Sequence, residues 1–482
     1  MVTHAPLPES PPSRHGVDAD GISAFLDAVE ADGIELHSLM IVRNGHVVAS
    51  GWWEPYGADR PHLLYSLSKS FTSTAAGLAV AEGLLDLDAP VRSYFPELDD
   101  DVANPRSRAM LVRHIASMSS GHLTDTWPAA PREDPLRPVR GFLRIPPDRD
   151  PGTVFAYNQS CTYTLASIVQ RVTGQPLTAY LRPRLFDPIG IGSAAWEELP
   201  PGQAIGFTGL YATTDAIARL GELYLRGGQW HGRQVIPAGW VAEATRPHVA
   251  TYTDATPDWR QGYGFQFWMS SHGYRGDGAY GQFCLVLPEH DAVVATTSGT
   301  ENLQGVLDAV WSCVLPAFGV TDAPDAPAAS AAAEAADAAL AKRLARLRIR
   351  LPATPAPAQS HESWPDTAAP VDLTPERGAC EALPHLRRVR VAGRTVTLTE
   401  DKVSVELRLD DGDWHVTDGP VPVAAAGGWT GPGILEIDLL FLETPHRLSL
   451  TCSVSDGTFR ARWHTRPLAG SISLAGLRAP SA

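Results

Sequence analysis

Lysine is almost missing from this sequence. Of its 39 basic residues only Lys69, Lys342 and Lys402 are lysines, and the rest are arginines. A surface charge or an ion pair is served equally well by arginine. What arginine cannot do is shed its proton and act as a base near neutral pH. Cysteine is scarce as well: Cys161, Cys284, Cys313, Cys380 and Cys452 are odd in number and scattered. With no C-x-x-C and no Cys/His cluster, neither a zinc site nor a disulfide framework is expected, and buried free thiols are. No metal or cofactor is anticipated. No apolar run reaches the ~18 residues of a membrane-spanning helix. The opening "MVTHAPLPESPPSRHGVD" lacks a basic segment followed by an apolar one, so no export signal is read and a cytoplasmic location is expected. Positive charge is also short. A net charge of −15 leaves no basic surface for nucleic acid or an anionic membrane.

What is present suits a loop-rich globular chain: 44% hydrophobic residues, 42 Gly and 41 Pro in 482 residues, long enough for two or three domains. Residues 1–16 read as a Pro-rich tail. "GISAFLDAVEADG" has helical periodicity, and "HSLMIVRNGHVVASGWWEPY" holds two β-rich runs around Asn44-Gly45, a strong hairpin signal. A helix is expected from near Ser66 to about Glu82, closed by Gly83. Helical patterns fill much of residues 86–200. Strand-like text returns from "GYGFQFWM" through "QFCLVLPEHDAVVATTSG", and "LQGVLDAVWSCVLPAF" reads as a closing helix. Strands at both ends with helices between them predict an α+β catalytic unit over 17–319, its sheet joining distant parts of the chain. Residues 320–379 read as an Ala/Pro-rich linker with one helix carrying Leu340, Leu344, Leu347 and Leu351. Residues 380–482 read as short strands of a small antiparallel barrel or sandwich.

The chemistry concentrates in "LLYSLSKSFTSTAAGLAVAEG". Ser66 and Lys69, at i and i+3, share one helical face about one turn apart. At a helix start, free N–H groups and the positive end of the dipole face a developing oxyanion. Burial lowers a lysine pKa, and a neutral Lys69 could take the serine proton. The bland alternative is a helix-capping serine with a snorkelling lysine. No G-x-S-x-G elbow, H-E-x-x-H or P-loop competes. His114 reads as an organiser of its loop. Trp52, Trp53, Trp127, Trp196, Trp259 and Trp268 read as core or rim packing.

With "MLVRHIASMSSGH", "PGTVFAYNQSCTYTLASIVQRVTG" and "LFDPIGI" added, residues 17–318 resemble the β-lactamase-related serine hydrolases. That group holds class C β-lactamases, DD-peptidases, family VIII esterases and 6-aminohexanoate-dimer hydrolases. The resemblance implies a β-lactamase/DD-peptidase-like antiparallel sheet flanked by helices. It also implies a Ser-Lys-Tyr centre of Ser66, Lys69 and Tyr157. The third position of the family's Tyr-x-Asn element is Gln159 here, with Asn158 one place earlier, so either amide is a candidate to hold the lysine or the substrate carbonyl. The family's Lys/His-Thr-Gly element is missing. "YRGDGAYGQFCLVLPEHDAVV" stands in its place, with Tyr280 where the aminohexanoate-dimer hydrolases have histidine. By that match Gly278, Ala279, Tyr280, Gly281 and Gln282 form the strand edge beside the serine, and the Ala279 N–H is the second oxyanion donor. No cation stands there for a substrate carboxylate, and Arg275 reads as a solvated loop residue.

The expected activity is hydrolysis of a small-molecule carboxylic ester through an acyl-enzyme. The rivals are an amidase, D-amino-acid peptidase or peptide-cyclising acyltransferase on the same centre, and a non-catalytic binding protein retaining the fold. A barrel appended to such a catalytic domain resembles, by analogy alone, the lipocalin-like appendage of some penicillin-binding-protein-type thioesterases. The plainer expectation is that the C-terminal β domain only covers a sheet edge or holds a homo-oligomer together.

Overall fold

The computed structural model describes residues 6–252, 256–319, 330–351, 369–376, 383–410, 412–468 and 473–480. Helix α1 (Ala19–Ala31) is capped by the Asp18 carboxylate, which accepts from the Asp20 N–H. It buries Ile22, Phe25, Leu26 and Val29, the i, i+3, i+4, i+7 stripe of an amphipathic helix. Strands β1 (Leu36–Arg43) and β2 (His46–Trp52) follow. They are joined through Asn44 and Gly45 at φ 51° and 75°, the left-handed pair that a tight hairpin turn requires.

These strands open a six-stranded antiparallel sheet. Its order is β2, β1, Ala292–Ser298, Gln282–Leu287, Tyr274–Gly278 and Trp268–Met269. The expected closure of the sheet by distant strands is therefore present. Alternation divides the β1 side chains. Leu39 and Ile41 join the core under α1 and the Leu303–Ala309 helix, while Met40 and Val42 face the core around helix α2 (Ser68–Ala81). The fold class is α+β, with helices on both faces of the antiparallel sheet.

Helix α2 is buried almost from end to end, and its polar side chains explain how. Ser70 and Ser73 donate to the carbonyls of Gln266 and Phe265, Thr72 to Gly206 and Thr74 to Ser70, while Ser68 accepts from the Leu210 N–H. Each hydroxyl meets a backbone partner, so the helix can sit in the interior without stranded polar groups. It ends at Ala81, and Gly83 turns the chain at φ 70°.

The helix expected in the linker runs Ala331–Leu344 and packs Leu340 and Leu344 against the α1 core. A nine-stranded sheet makes up the C-terminal part, with strand order Ser404–Arg408, Thr395–Thr399, Arg388–Ala392, Val371–Pro375, Thr458–Trp463, Arg447–Ser453, Ile434–Phe441, Pro422–Gly431, His415–Asp418. Alternate side chains such as Val389, Val391, Val396 and Leu398 pack into one apolar core. Two features differ from expectation. Val371–Pro375, in the stretch read as linker, belongs to the sheet, and it pairs parallel with Thr458–Trp463. Cys161, Cys284 and Cys452 are buried free thiols and Cys313 is a free, half-buried one, while Cys380 lies outside the described residues.

Candidate active site

Ser66 lies in a 3-10 turn, Tyr65–Leu67, that runs directly into α2. Lys69 follows one turn later and is 1% exposed. Its Nζ is 2.8 Å from Ser66 Oγ and 2.8 Å from the Phe207 carbonyl. Ser66 is half-buried, whereas the other hydroxyls of the stretch are buried and bonded elsewhere. Burial pushes the Lys69 pKa down to about 7, although the Asp125 and Asp277 carboxylates pull it back up. At pH 7 about half of the amine is therefore neutral and able to accept a proton, and more of it above that.

Tyr157 comes from the loop ahead of helix Gln159–Thr173, and its ring centroid is 4.7 Å from Lys69 Nζ. Trp268 stacks against the same ring at 5.3 Å, interplanar angle 26°. Burial, seconded by the Asp277 charge, raises the phenol pKa well above its ordinary value, against hydrogen bonds from Ser66 and Trp268. Tyr157 thus stays a protonated phenol near neutral pH.

The amides behave differently from expectation. Asn158 is buried and caps the helix: its Oδ1 accepts from the Ser160 N–H and from the Thr126 N–H and hydroxyl. The Gln159 N–H donates to Asp125 Oδ1. Lys69 bonds to Ser66 and the Phe207 carbonyl rather than to either amide.

The missing third element is also rearranged. Strand Tyr274–Gly278 presses against the serine turn. A Cβ on Gly278 would meet the Leu64 carbonyl at 2.2 Å, and one on Gly276 would meet Ser70 Oγ at 2.9 Å, so glycine is what lets the strand approach. Ala279, Tyr280 and Gly281 are not a strand edge: they form the turn between this strand and Gln282–Leu287. Tyr280 donates its hydroxyl to the Arg466 carbonyl of the C-terminal domain. Gln282 is a brace instead of a substrate ligand. Its amide donates to the Ala279 and Ser298 carbonyls and accepts from the Ser298 N–H.

Arg275 corrects another expectation. It is not a solvated loop residue but a strand residue that is 0% exposed. Its Nε lies 3.0 Å from Asp277 Oδ2, and its Nη1 donates to the Asp258 and Met269 carbonyls and to Ser270 Oγ. The guanidinium also lies 4.5 Å from the Trp259 ring centre. A cation is present near the site, then, but it is paired and covered.

Sequence reasoning missed Phe207, whose contribution is a backbone carbonyl with no residue signature, and the Arg275–Asp277 pair. It named Trp268 only as packing. Among the described residues no group of three His, Cys, Asp or Glu side chains could hold a metal ion, and no helix is long and apolar enough to cross a membrane.

Residues 24–309 match the Beta-lactamase family. The 6-aminohexanoate-dimer hydrolase of Paenarthrobacter ureafaciens is 28% identical over 287 residues, 54% of this chain and 72% of that protein. A lovastatin esterase of Penicillium rubens is 32% identical over 165 residues, 30% of this chain and 41% of the esterase. Among solved structures, a putative 6-aminohexanoate-dimer hydrolase from Bacillus anthracis superposes with TM-score 0.52 at 22% identity, covering 65% of this chain and 87% of that one. The half-buried serine beside a buried lysine thus sits in a shared fold, and the chain belongs to the Beta-lactamase family of serine hydrolases.

Proposed function

We propose that the protein is a carboxylic ester hydrolase that works through an acyl-enzyme on Ser66, Lys69 and Tyr157. The observation that carries this reading is the 2.8 Å contact between Ser66 and a lysine whose pKa burial has brought to about 7. Neutral Lys69 takes the Ser66 proton as Oγ bonds to the substrate carbonyl carbon. The tetrahedral adduct then collapses, its bond to the leaving oxygen breaks, and that oxygen takes a proton from Tyr157, which is resupplied by Lys69. Water repeats the sequence in reverse to release the acid. The Ser66 N–H and the Ala279 N–H are the proposed oxyanion donors.

Preference for a neutral ester is supported by Arg275. Its Nε and Nη1 are taken by Asp277 and three oxygen acceptors, and Nη2, though without a partner, is buried with the rest of the side chain, which keeps a substrate carboxylate from reaching it. The similarity to a lovastatin esterase agrees with this preference. A second reading, amide hydrolysis, is favoured by the similarity to a 6-aminohexanoate-dimer hydrolase, whose named substrate is an amide. A panel of short-chain p-nitrophenyl esters, p-nitroanilides and nitrocefin decides between them. The expected result is kcat/KM highest for the esters and lowest for nitrocefin. Anilide turnover above the esters selects the amidase, and nitrocefin turnover rivalling the esters overturns the reading of Arg275.

A further inference from the structure

Ser66 is preceded by a residue in an unusual state. Tyr65 has φ 48°, and Tyr280, in the turn on the other side of the site, has φ 65°. They are the two tyrosines with left-handed backbone among the described residues, a conformation that a bulky side chain adopts only when its surroundings hold it there. Both are held by the same two segments of the C-terminal domain, around His446 and at Arg466 and Leu468. The Tyr65 hydroxyl lies 2.8 Å from His446 Nε2, a contact spanning 381 residues of sequence, and accepts from the Leu468 N–H at 3.4 Å. The Tyr280 hydroxyl donates to the Arg466 carbonyl. The rings of Tyr65, Tyr280 and His446 form a closed trio with centroids 5.7–5.8 Å apart, each pair edge to face.

The tautomer of His446 follows from its other bond. Nδ1 faces the Thr465 carbonyl at 3.0 Å and must donate, which leaves Nε2 as a bare acceptor for the Tyr65 O–H. Burial keeps this imidazole neutral, with a pKa near 3, so the arrangement persists across the working range. One more bond ties the same segments: the Leu63 N–H donates to the Glu443 carbonyl at 2.8 Å, three residues before Ser66.

We propose that the C-terminal β domain is a working part of the site. His446, with the Arg466 and Leu468 backbone, clamps Tyr65 and Tyr280 and so sets the turns that carry Ser66 and flank it. His446 is a positioning residue, and the inference rests on the reading of Ser66 as nucleophile. It gives the appended domain a role that edge covering or dimerisation does not require.

Single-turnover acylation by p-nitrophenyl acetate, followed as the p-nitrophenolate burst, tests it in the full-length protein. His446→Phe fills the space but offers no acceptor. It is expected to slow acylation about tenfold to a hundredfold, the order of loss that an ångström of misplacement causes, with KM within about twofold of wild type. In His446→Gln the amide oxygen can take the tyrosine proton, and most of the rate returns. Tyr65→Phe reproduces the loss, and the double variant Tyr65→Phe/His446→Phe adds little to it. Val396→Ala, in the core of the same domain, lowers the melting temperature and leaves the acylation rate alone. Wild-type acylation by folded His446→Phe overturns the proposal, and so do losses that multiply in the double variant. If His446→Phe does not fold, Tyr65→Phe carries the test, and a wild-type rate there overturns it. These outcomes leave Ser66 labelled. A probe adduct that maps away from Ser66 in the wild type instead removes the reading beneath the proposal.

Discussion

Lys69 Nζ and Ser66 Oγ lie 2.8 Å apart, and the lysine is sealed from water while the serine is not. That asymmetry decides the chemistry. Burial holds down the proton affinity of the amine, and partial exposure leaves the hydroxyl open to a substrate. The remaining hydroxyls from Ser68 to Thr74 are locked to backbone partners and cannot substitute for Ser66.

With a folded-state pKa of about 7 for Lys69, kcat/KM for p-nitrophenyl acetate should climb with pH below about 7 and level off above it. Lys69→Arg should lose as much activity as Lys69→Ala, because arginine keeps the charge but cannot accept the serine proton. A flat profile, or a Lys69→Arg enzyme retaining more than about a tenth of the rate, would reduce Lys69 to an electrostatic support.

The same shift links stability to pH. The folded protein releases the Lys69 proton near pH 7, and the unfolded chain keeps it up to its ordinary 10.5. Through that window the unfolded state binds more protons, so stability rises with pH. The destabilising effect is full below about pH 7 and fades on the alkaline side. Urea unfolding at several pH values should show wild type gaining stability relative to Lys69→Met between about pH 7 and 10. A difference that stays constant across this range contradicts the shifted lysine.

Arg275→Met leaves Asp277 buried without its cation. Removing one partner of such a pair costs about 3–5 kcal/mol, so a clear drop in the urea midpoint is expected. Asp277→Asn in the same background should restore part of it. An Arg275→Met protein as stable as wild type would show that the pair is dispensable.

The parts of the molecule visible in the sequence are those carried by local spacing. Ser66 and Lys69 fall on one face because three residues make nearly one turn, and Asn44-Gly45 announces its hairpin because both residues tolerate positive φ. Strand-like runs at both ends of the catalytic unit pointed to the sheet, and the resemblance led to its family and to Tyr157. What stayed hidden is set by tertiary contact. Arg275 looks like any loop arginine until the strands bring Asp277, Trp259 and the Asp258 carbonyl around it. Gln282 looks like a substrate ligand until its amide is seen bonded to Ala279 and Ser298. The Phe207 carbonyl belongs to a group every residue carries. The partner of Tyr65 lies 381 residues away, beyond any periodicity.

The central claim is that Ser66 is the residue acylated. Intact-mass spectrometry after a fluorophosphonate probe, followed by peptide mapping, tests it most directly. The account predicts one adduct on wild type, carried by Ser66, absent from Ser66→Ala and formed far more slowly by Lys69→Arg. An adduct that persists in folded Ser66→Ala, or that maps to Ser68 or Ser70, contradicts it.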